Sequence, residues 1–180
     1  MASPSVQVRA LVAEHRPTSP REAAAKDRFL AELDRLADPY DEHAGPTHVT
    51  ASAIVVGTRG TVLHLHKRLA RWMQPGGHID AGEEPPDAAL REAVEELGLE
   101  VAHPRRGPRL IHLDVHEAAL GHTHLDLRYL LFAAADDPHP PPDESPEARW
   151  FEWGEAEAIA DDALAPALTI ARAEWDASDE

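Results

Sequence analysis

The sequence predicts a mixed α/β domain, and three observations predict it. Apolar runs of strand length recur between residues 49 and 153. One helix with a polar face interrupts them, from about Pro86 to Leu97. Further helical segments stand towards both ends of the chain. Strands around one helix, with helices outside, define the class, although a class alone gives no function. With 180 residues the default is one domain spanning 1–180, divided into an N-terminal helical extension, 1–45, and a core, 46–180.

Two short helices are expected to open the chain. The first covers about Val6 to Glu14. The second begins at a capping box, with Ser19 as N-cap, Pro20 at the first helical position and Glu22 three residues after the cap. Its apolar stripe is Ala25, Phe29, Leu33 and Leu36. This pair reads as packing or as the surface of a homodimer rather than as catalytic machinery. Val49 to Val56 reads as a buried strand, Gly57-Thr58-Arg59-Gly60 as a hairpin turn and Thr61 to His66 as the return strand. Lys67 to Gly77 is expected to be a loop. The helix from Pro86 ends at Gly98, a good C-terminal capping residue. Leu110 to His116 and His122 to Ala133 read as a hairpin turning near Gly121. Asp136 to Glu144, rich in proline and acids, is expected to be a surface loop. Ala148 to Trp153 is a last strand, and Glu155 to Ile159 and Ala165 to Trp175 are closing helices.

Thirty-three acids against 17 bases give a formal charge of −16. A long nucleic acid would be repelled, whereas a small phosphorylated substrate is acceptable if cations screen the charge locally. There is no cysteine and no asparagine, which excludes disulfide, thiol and N-glycan chemistry. The apolar runs are too short to span a bilayer, and Arg9, Glu14 and His15 break up the first stretch, so a cytoplasmic protein without membrane partners is expected.

The chemistry is concentrated between Gly77 and Leu99. Glu92, Glu95 and Glu96 lie at i, i+3 and i+4 and share one helical face, while Ala89, Ala93 and Leu97 form an apolar row, widened by Leu90 and Val94. Three clustered carboxylates with only Arg91 among them suit a hard divalent cation, which takes oxygen ligands. A solvated acidic face is the alternative. The preceding double glycine, Gly76 and Gly77, favours the cation, because it lets the backbone approach the helix and offers a carbonyl ligand. Glu83, just before the helix, is placed to reach Arg91 or metal-bound water.

The pattern G-x5-E-x7-R-E-U-x-E-E-x-G-U, with U apolar, is filled here by Gly77, Glu83, Arg91, Glu92, Ala93, Glu95, Glu96, Gly98 and Leu99. In this the chain resembles the Nudix hydrolases, with Ala93 small for its position. Trp-x-x-Pro-Gly-Gly before the box and Trp150-Phe151 after it resemble the same family. The resemblance implies an α/β/α sandwich with a mixed sheet and a divalent-metal-dependent pyrophosphohydrolase. Its substrate would be a nucleoside diphosphate linked to another moiety, and its cofactor Mg²⁺ or Mn²⁺. It implies metal ligands at Glu92, Glu96 and Glu95 and at the Gly76 carbonyl, with Glu83 in the loop or outer shell and Arg91 orienting Glu92. Water activated by the metal would attack phosphorus after losing a proton to Glu92 or to an acid outside the box.

Twelve histidines are many for this length. His112, Asp114 and His116 point one way along their strand, and His122, His124, Asp126 and Arg128 share a face on the next. A simple hairpin would put His112 near Asp126 and Asp114 near His124. The strip is read either as a substrate-phosphate or accessory metal site, with His124, Asp126 and Arg128 as ligands, or as hydrogen-bonded pairs on an exposed sheet face. Neutral imidazoles suit transition metals better than Mg²⁺. His78, after the double glycine, is a candidate substrate contact. His64 and His66 alternate with leucines and share a side. His15, His43 and His139 read as solvated surface. Trp72 either stacks on a base or packs in the fold, and Trp150, Trp153 and Trp175 read as core or interface. A catalytically silent Nudix-fold module that senses a ligand or binds a partner is the competing function. Such a module has no need to keep Glu92, Glu95 and Glu96.

Overall fold

The computed structural model describes residues 3–118, 121–145 and 147–178. Helices α1 (Pro4–Glu14) and α2 (Pro20–Leu33) come first, followed by strands β1 (Thr47–Gly57), β2 (Gly60–His66), β3 (Arg71–Met73) and β4 (Gly76–His78). Helix α3 (Pro85–Leu97) leads to β5 (Val101–Ala102), β6 (Arg109–Glu117), β7 (Thr123–Ala133) and β8 (Ala148–Phe151), and α4 (Trp153–Ile159) and α5 (Leu164–Asp176) close the fold.

The strands form one mixed sheet in the order β3-β2-β1-β7-β5, with β4 also on β1, β6 on β7 and β8 on β2. Its spine is the parallel pair β1–β7, in register from Thr47 opposite Thr123 to Val56 opposite Phe132. Nearly all of β1 is buried, as expected of a parallel strand covered on both faces. Alternation then sorts its side chains into two layers. Val49, Ala51, Ala53 and Val55 join Leu125, Leu127, Tyr129 and Leu131 in a core beneath α1, α2 and α3. Ile54 and Val56 join Leu130, Leu63 and Phe151 in a second core beneath α4 and α5. The result is the α/β/α sandwich with a mixed sheet that the sequence predicts.

Both opening helices extend the first core. Val8, Val12, Phe29 and Leu33 are buried in it, and each full burial of such a side chain contributes about 1.5–3 kcal/mol. Ser19 accepts from the Glu22 N–H at 3.1 Å, as a capping box requires. The reciprocal half is replaced. Glu22 is itself buried, and its carboxylate accepts from the Thr18 N–H and hydroxyl at 2.6 and 2.9 Å, and from the Leu113 N–H of β6 at 3.1 Å. It also pairs with His15 Nε2 at 2.6 Å. His15 is therefore a partner of a buried acid and not the solvated residue the sequence suggests.

Three expected boundaries change. The stretch Lys67 to Gly77 is no plain loop, because it carries β3 on β2 and the start of β4 on β1. The last strand stops at Phe151, and Trp153 opens α4. In the β6–β7 hairpin His112 faces Arg128, Asp114 faces Asp126 and His116 faces His124. Pairing runs on to Glu117 opposite Thr123, and the expected His112–Asp126 and Asp114–His124 pairs each shift by two residues.

Candidate active site

Helix α3 lies against the sheet through Ala88, Ala89, Ala93 and Leu97, which are fully buried. The small Ala93 lets the helix sit close. Gly98 ends it in the left-handed conformation at φ +60°, where an added Cβ would run into the backbone of His139. With one face fixed, the next face carries Glu92 and Glu96 towards the double glycine of β4. The Gly76 N–H donates to Glu96 Oε2 at 2.9 Å. Gly77 backs directly onto Glu92, since a Cβ there would stand 2.5 Å from Oε1.

Arg91 is the clamp of this segment. Its Nε and Nη2 each donate to the Glu83 carboxylate at 3.0 Å, and Nη2 also reaches the His78 carbonyl at 2.9 Å. Its Nη1 donates to Glu92 Oε1 at 2.7 Å and to Glu95 Oε2 at 3.1 Å. Glu83 also accepts from the Asp80 N–H at 3.0 Å. One guanidinium thus ties the loop, the strand and two box glutamates together, a task its rigid fork of donors suits.

Burial is the main influence on the inner carboxylates. It pushes Glu96 up to about 8, helped by the charges of Glu92, Glu144 and Glu95 and opposed by the Gly76 N–H. Glu92 is raised for the same reason, with Glu95 and Glu144 adding to it and Arg91 opposing. Burial would raise Glu83 too, but its hydrogen bonds to Arg91 and to the Asp80 N–H hold it below the ordinary value. Such a pair of half-buried, mutually repelling acids is what a dication would relieve. Glu144 is the functional candidate that sequence reasoning missed. It belongs to the acidic loop before β8, where Ser145 accepts from the Glu147 N–H and donates to the carbonyls of Leu65 and Glu147. Nothing in its sequence context separates it from its acidic neighbours. Among the described residues, Glu92, Glu95 and Glu96 do not converge as one ligand set; the group that does is His48, His78 and His124.

The histidine strip is a face of the sheet; its inner part is buried, while His116, His122 and His124 are half-buried. His112, Asp114, Asp126 and Arg128 are each 3 % exposed or less. Arg128 donates to Asp126 at 3.1 Å, to Asp114 at 3.2 Å and to the Ala163 carbonyl at 2.5 Å. Asp126 also accepts from the hydroxyls of Thr50 and Ser52, at 3.2 and 2.8 Å. Asp126 and Arg128 therefore spend their hydrogen bonds on the protein itself. His78 and His124, the other two expected substrate contacts, come together: their ring centres lie 5.6 Å apart. His64 is buried with Nε2 3.7 Å from Glu96 Oε2. His66 turns away to accept from the Arg68 and Leu69 N–H groups. Trp72 packs on Phe151 under the Arg149 guanidinium, which favours packing over base stacking. Among the described residues no helix is long and apolar enough to cross a membrane.

A loop and helix built around Gly77, Glu83, Arg91, Glu92 and Glu96, on a mixed sheet with helices on both faces, define a Nudix architecture. The NUDIX domain family matches residues 46–172, and the chain belongs to that family. The chain is 43 % identical over 68 residues to a Mycobacterium tuberculosis protein named "Putative 8-oxo-dGTP diphosphatase 2". That match spans 34 % of this chain and 46 % of the relative, so the chain covers about half the length of the curated relative. Among solved structures, a NUDIX-family hydrolase from Clostridium perfringens superposes with a TM-score of 0.60 at 27 % identity, over 72 % of this chain and 97 % of that one. A MutT NUDIX hydrolase from Burkholderia pseudomallei gives 0.57 at 28 % identity, over 69 % and 97 %.

Proposed function

We propose that this Nudix protein hydrolyses the pyrophosphate bond of a nucleoside diphosphate linked to another moiety, using Mg²⁺ or Mn²⁺. The observation that carries the reading is the pair Glu92 and Glu96, half-buried, both raised by burial and by neighbouring acids, and set against Gly76 and Gly77. The acids fit a hard cation, and Glu95, half exposed at the same turn, can join them. Glu92, Glu95, Glu96 and the Gly76 carbonyl would hold the ion, which when bound supplies charge neutralisation at phosphate oxygens and an acidified water. Glu83 acts through Arg91, and Arg91 holds Glu92 in place. Glu92 or the outlying Glu144 takes the proton of the attacking water. The relative named as an 8-oxo-dGTP diphosphatase supports a nucleotide substrate. The polar contacts of Asp126 and Arg128 favour a supporting role for them, leaving His78 and His124 nearer to substrate.

The test is a screen of nucleoside triphosphates, nucleotide sugars and dinucleoside polyphosphates with Mg²⁺ and Mn²⁺, reading released phosphate, pyrophosphate and nucleotide. Glu92→Gln and Glu96→Gln are each expected to lower turnover of the best compound by about 10²-fold or more, with the melting temperature kept. Turnover like wild type in either variant, after chelation and Mg²⁺ restoration, removes the assignment. A wild-type protein that cuts none of these compounds yet binds one favours a ligand-sensing module.

A further inference from the structure

The three rings brought together by β1, β4 and β7 stand apart from the box carboxylates in chemistry and in origin. His48 lies opposite His124 in the parallel pair, and His78 lies opposite Thr50, one strand position further along the same face. A ring nitrogen from each of His48, His78 and His124 lies within 4.8 Å of the other two. Ring centres are 4.9 Å apart for His48–His78 and for His48–His124.

Two independent observations point to a ligand there. His48 is completely buried, and neither of its ring nitrogens makes a properly formed hydrogen bond, although the Gly45 backbone lies alongside. A buried imidazole without a partner is rare, and each such group needs an explanation. The second observation is the outer arrangement. Glu42 Oε2 lies 3.1 Å from His78 Nδ1, which leaves Nε2 as the free ligand atom. A metal-bound imidazole commonly has a carboxylate on its other nitrogen in this way. His116, tied by its own Nδ1 to Asp114 at 3.0 Å, packs against His124, with ring centres 5.5 Å apart, and His122 packs against His48 at 5.4 Å.

We infer that His48, His78 and His124 form a second cation site, selective for a zinc-class transition ion and distinct from the Mg²⁺-type carboxylate site. Three imidazoles are borderline-soft ligands that Zn²⁺, Co²⁺ or Ni²⁺ prefer and Mg²⁺ does not. The set leaves a coordination position open for water or a phosphate oxygen. Glu42 orients His78 and is a positioning residue. Because His78 follows Gly76 and Gly77 on β4, an ion here would also pin β4 to β1 and β7 beside the box. The inference does not depend on the pyrophosphohydrolase reading.

Co²⁺ is the probe. The purified full chain is stripped with chelator, and Co²⁺ is titrated while its visible ligand-field bands are followed. A low-coordinate imidazole site gives intense bands, whereas Co²⁺ in an octahedral carboxylate–water site gives weak ones. Intense bands saturating at one ion per chain, displaced by Zn²⁺ and not by Mg²⁺, are expected. The bands are expected to persist in Glu92→Gln/Glu96→Gln and to vanish in His48→Gln/His124→Gln, with circular dichroism unchanged. Glu42→Gln is expected to weaken Co²⁺ by about 10–100-fold. If the double histidine variant does not fold, His78→Ala alone, on the half-exposed ring, decides. Absence of intense bands in the wild type overturns the inference. So does their persistence without His78, or their loss only with the box glutamates.

Discussion

Gly77→Ala is a sharp test of the box geometry, because the substitution changes one contact and little else. Gly77 is not among the positive-φ glycines, so its backbone accepts alanine without strain. The new methyl would stand 2.5 Å from Glu92 Oε1, 2.6 Å from its carboxyl carbon and 2.8 Å from Oε2. Non-bonded heavy atoms settle at about 3.5 Å, so the carboxylate must retreat by about 1 Å. Retreat costs the 2.7 Å bond from Arg91 Nη1 and moves Glu92 away from any ion shared with Glu96. A displacement of that size is worth about 10²-fold in rate, or about 2.7 kcal/mol of transition-state stabilisation. Mn²⁺ affinity, read from the electron paramagnetic resonance of the free ion, and kcat/KM on the best compound are both expected to fall. The melting temperature is expected to hold, as it is for Gly154→Ala, whose methyl enters open space. A Gly77→Ala protein with Mn²⁺ affinity and kcat/KM indistinguishable from wild type would refute the idea that Glu92 works from this position.

Arg91→Lys is expected to weaken Mn²⁺ binding and lower kcat, because one ammonium cannot reach Glu83, Glu92, Glu95 and the His78 carbonyl together; equal kinetics would return Arg91 to a bystander. Glu22→Ala is expected to cost about 1–3 kcal/mol in urea unfolding, since it strands the buried Leu113 N–H and removes the acceptor of the Thr18 N–H. The same acid predicts a pH dependence. Burial would raise Glu22, but His15, the Thr18 N–H and the charge of His112 hold it down at about 2, against an ordinary 4.5. A depressed carboxylate contributes stability that is complete above 4.5 and lost as pH falls towards 2. The gap between wild type and Glu22→Gln should therefore narrow over that range, and a constant gap would refute the assignment.

The reach of the sequence depended on whether a feature was local or crossed the chain. The box is local: its spacing put Glu92, Glu95 and Glu96 on one face, and Arg91 within reach of Glu83, from helical geometry alone. The strand from Val49 declares itself as an apolar run bounded by a turn, and the strand from Leu110 by alternation. What stayed hidden needed pairing information. That His48 lies beside His124 follows from the parallel β1–β7 register, which no local pattern encodes, since some seventy residues separate them. β3 and β4 look like loop in the sequence because three-residue strands carry too few side chains for a period to show. Glu144 was invisible for a different reason. Its proximity to Glu92 and Glu96 comes from the way the acidic loop folds back, and composition marked it only as surface.

One face of β1 and β7 explains why a protein this acidic buries so many polar groups. On β1 the sequence runs His48, Thr50, Ser52 and then Ile54, Val56; on β7 it runs His124, Asp126, Arg128 and then Leu130, Phe132. The change from polar to apolar occurs at the same register on both strands. It coincides with the edge of the outer helical layer, marked by Arg128 donating to the Ala163 carbonyl where α5 begins. Beyond that edge the face is filled by groups that satisfy one another: Asp126 with two hydroxyls and Arg128, and Arg128 with Asp114. An unpaired charge there would be expensive, and these are paired. His48 is buried on this face with no well-formed partner for either ring nitrogen, whereas His112 lacks one at Nδ1 alone. Among the described residues it is the buried ring with neither nitrogen satisfied, beside acids and hydroxyls that are, and this sets it apart as a candidate ligand.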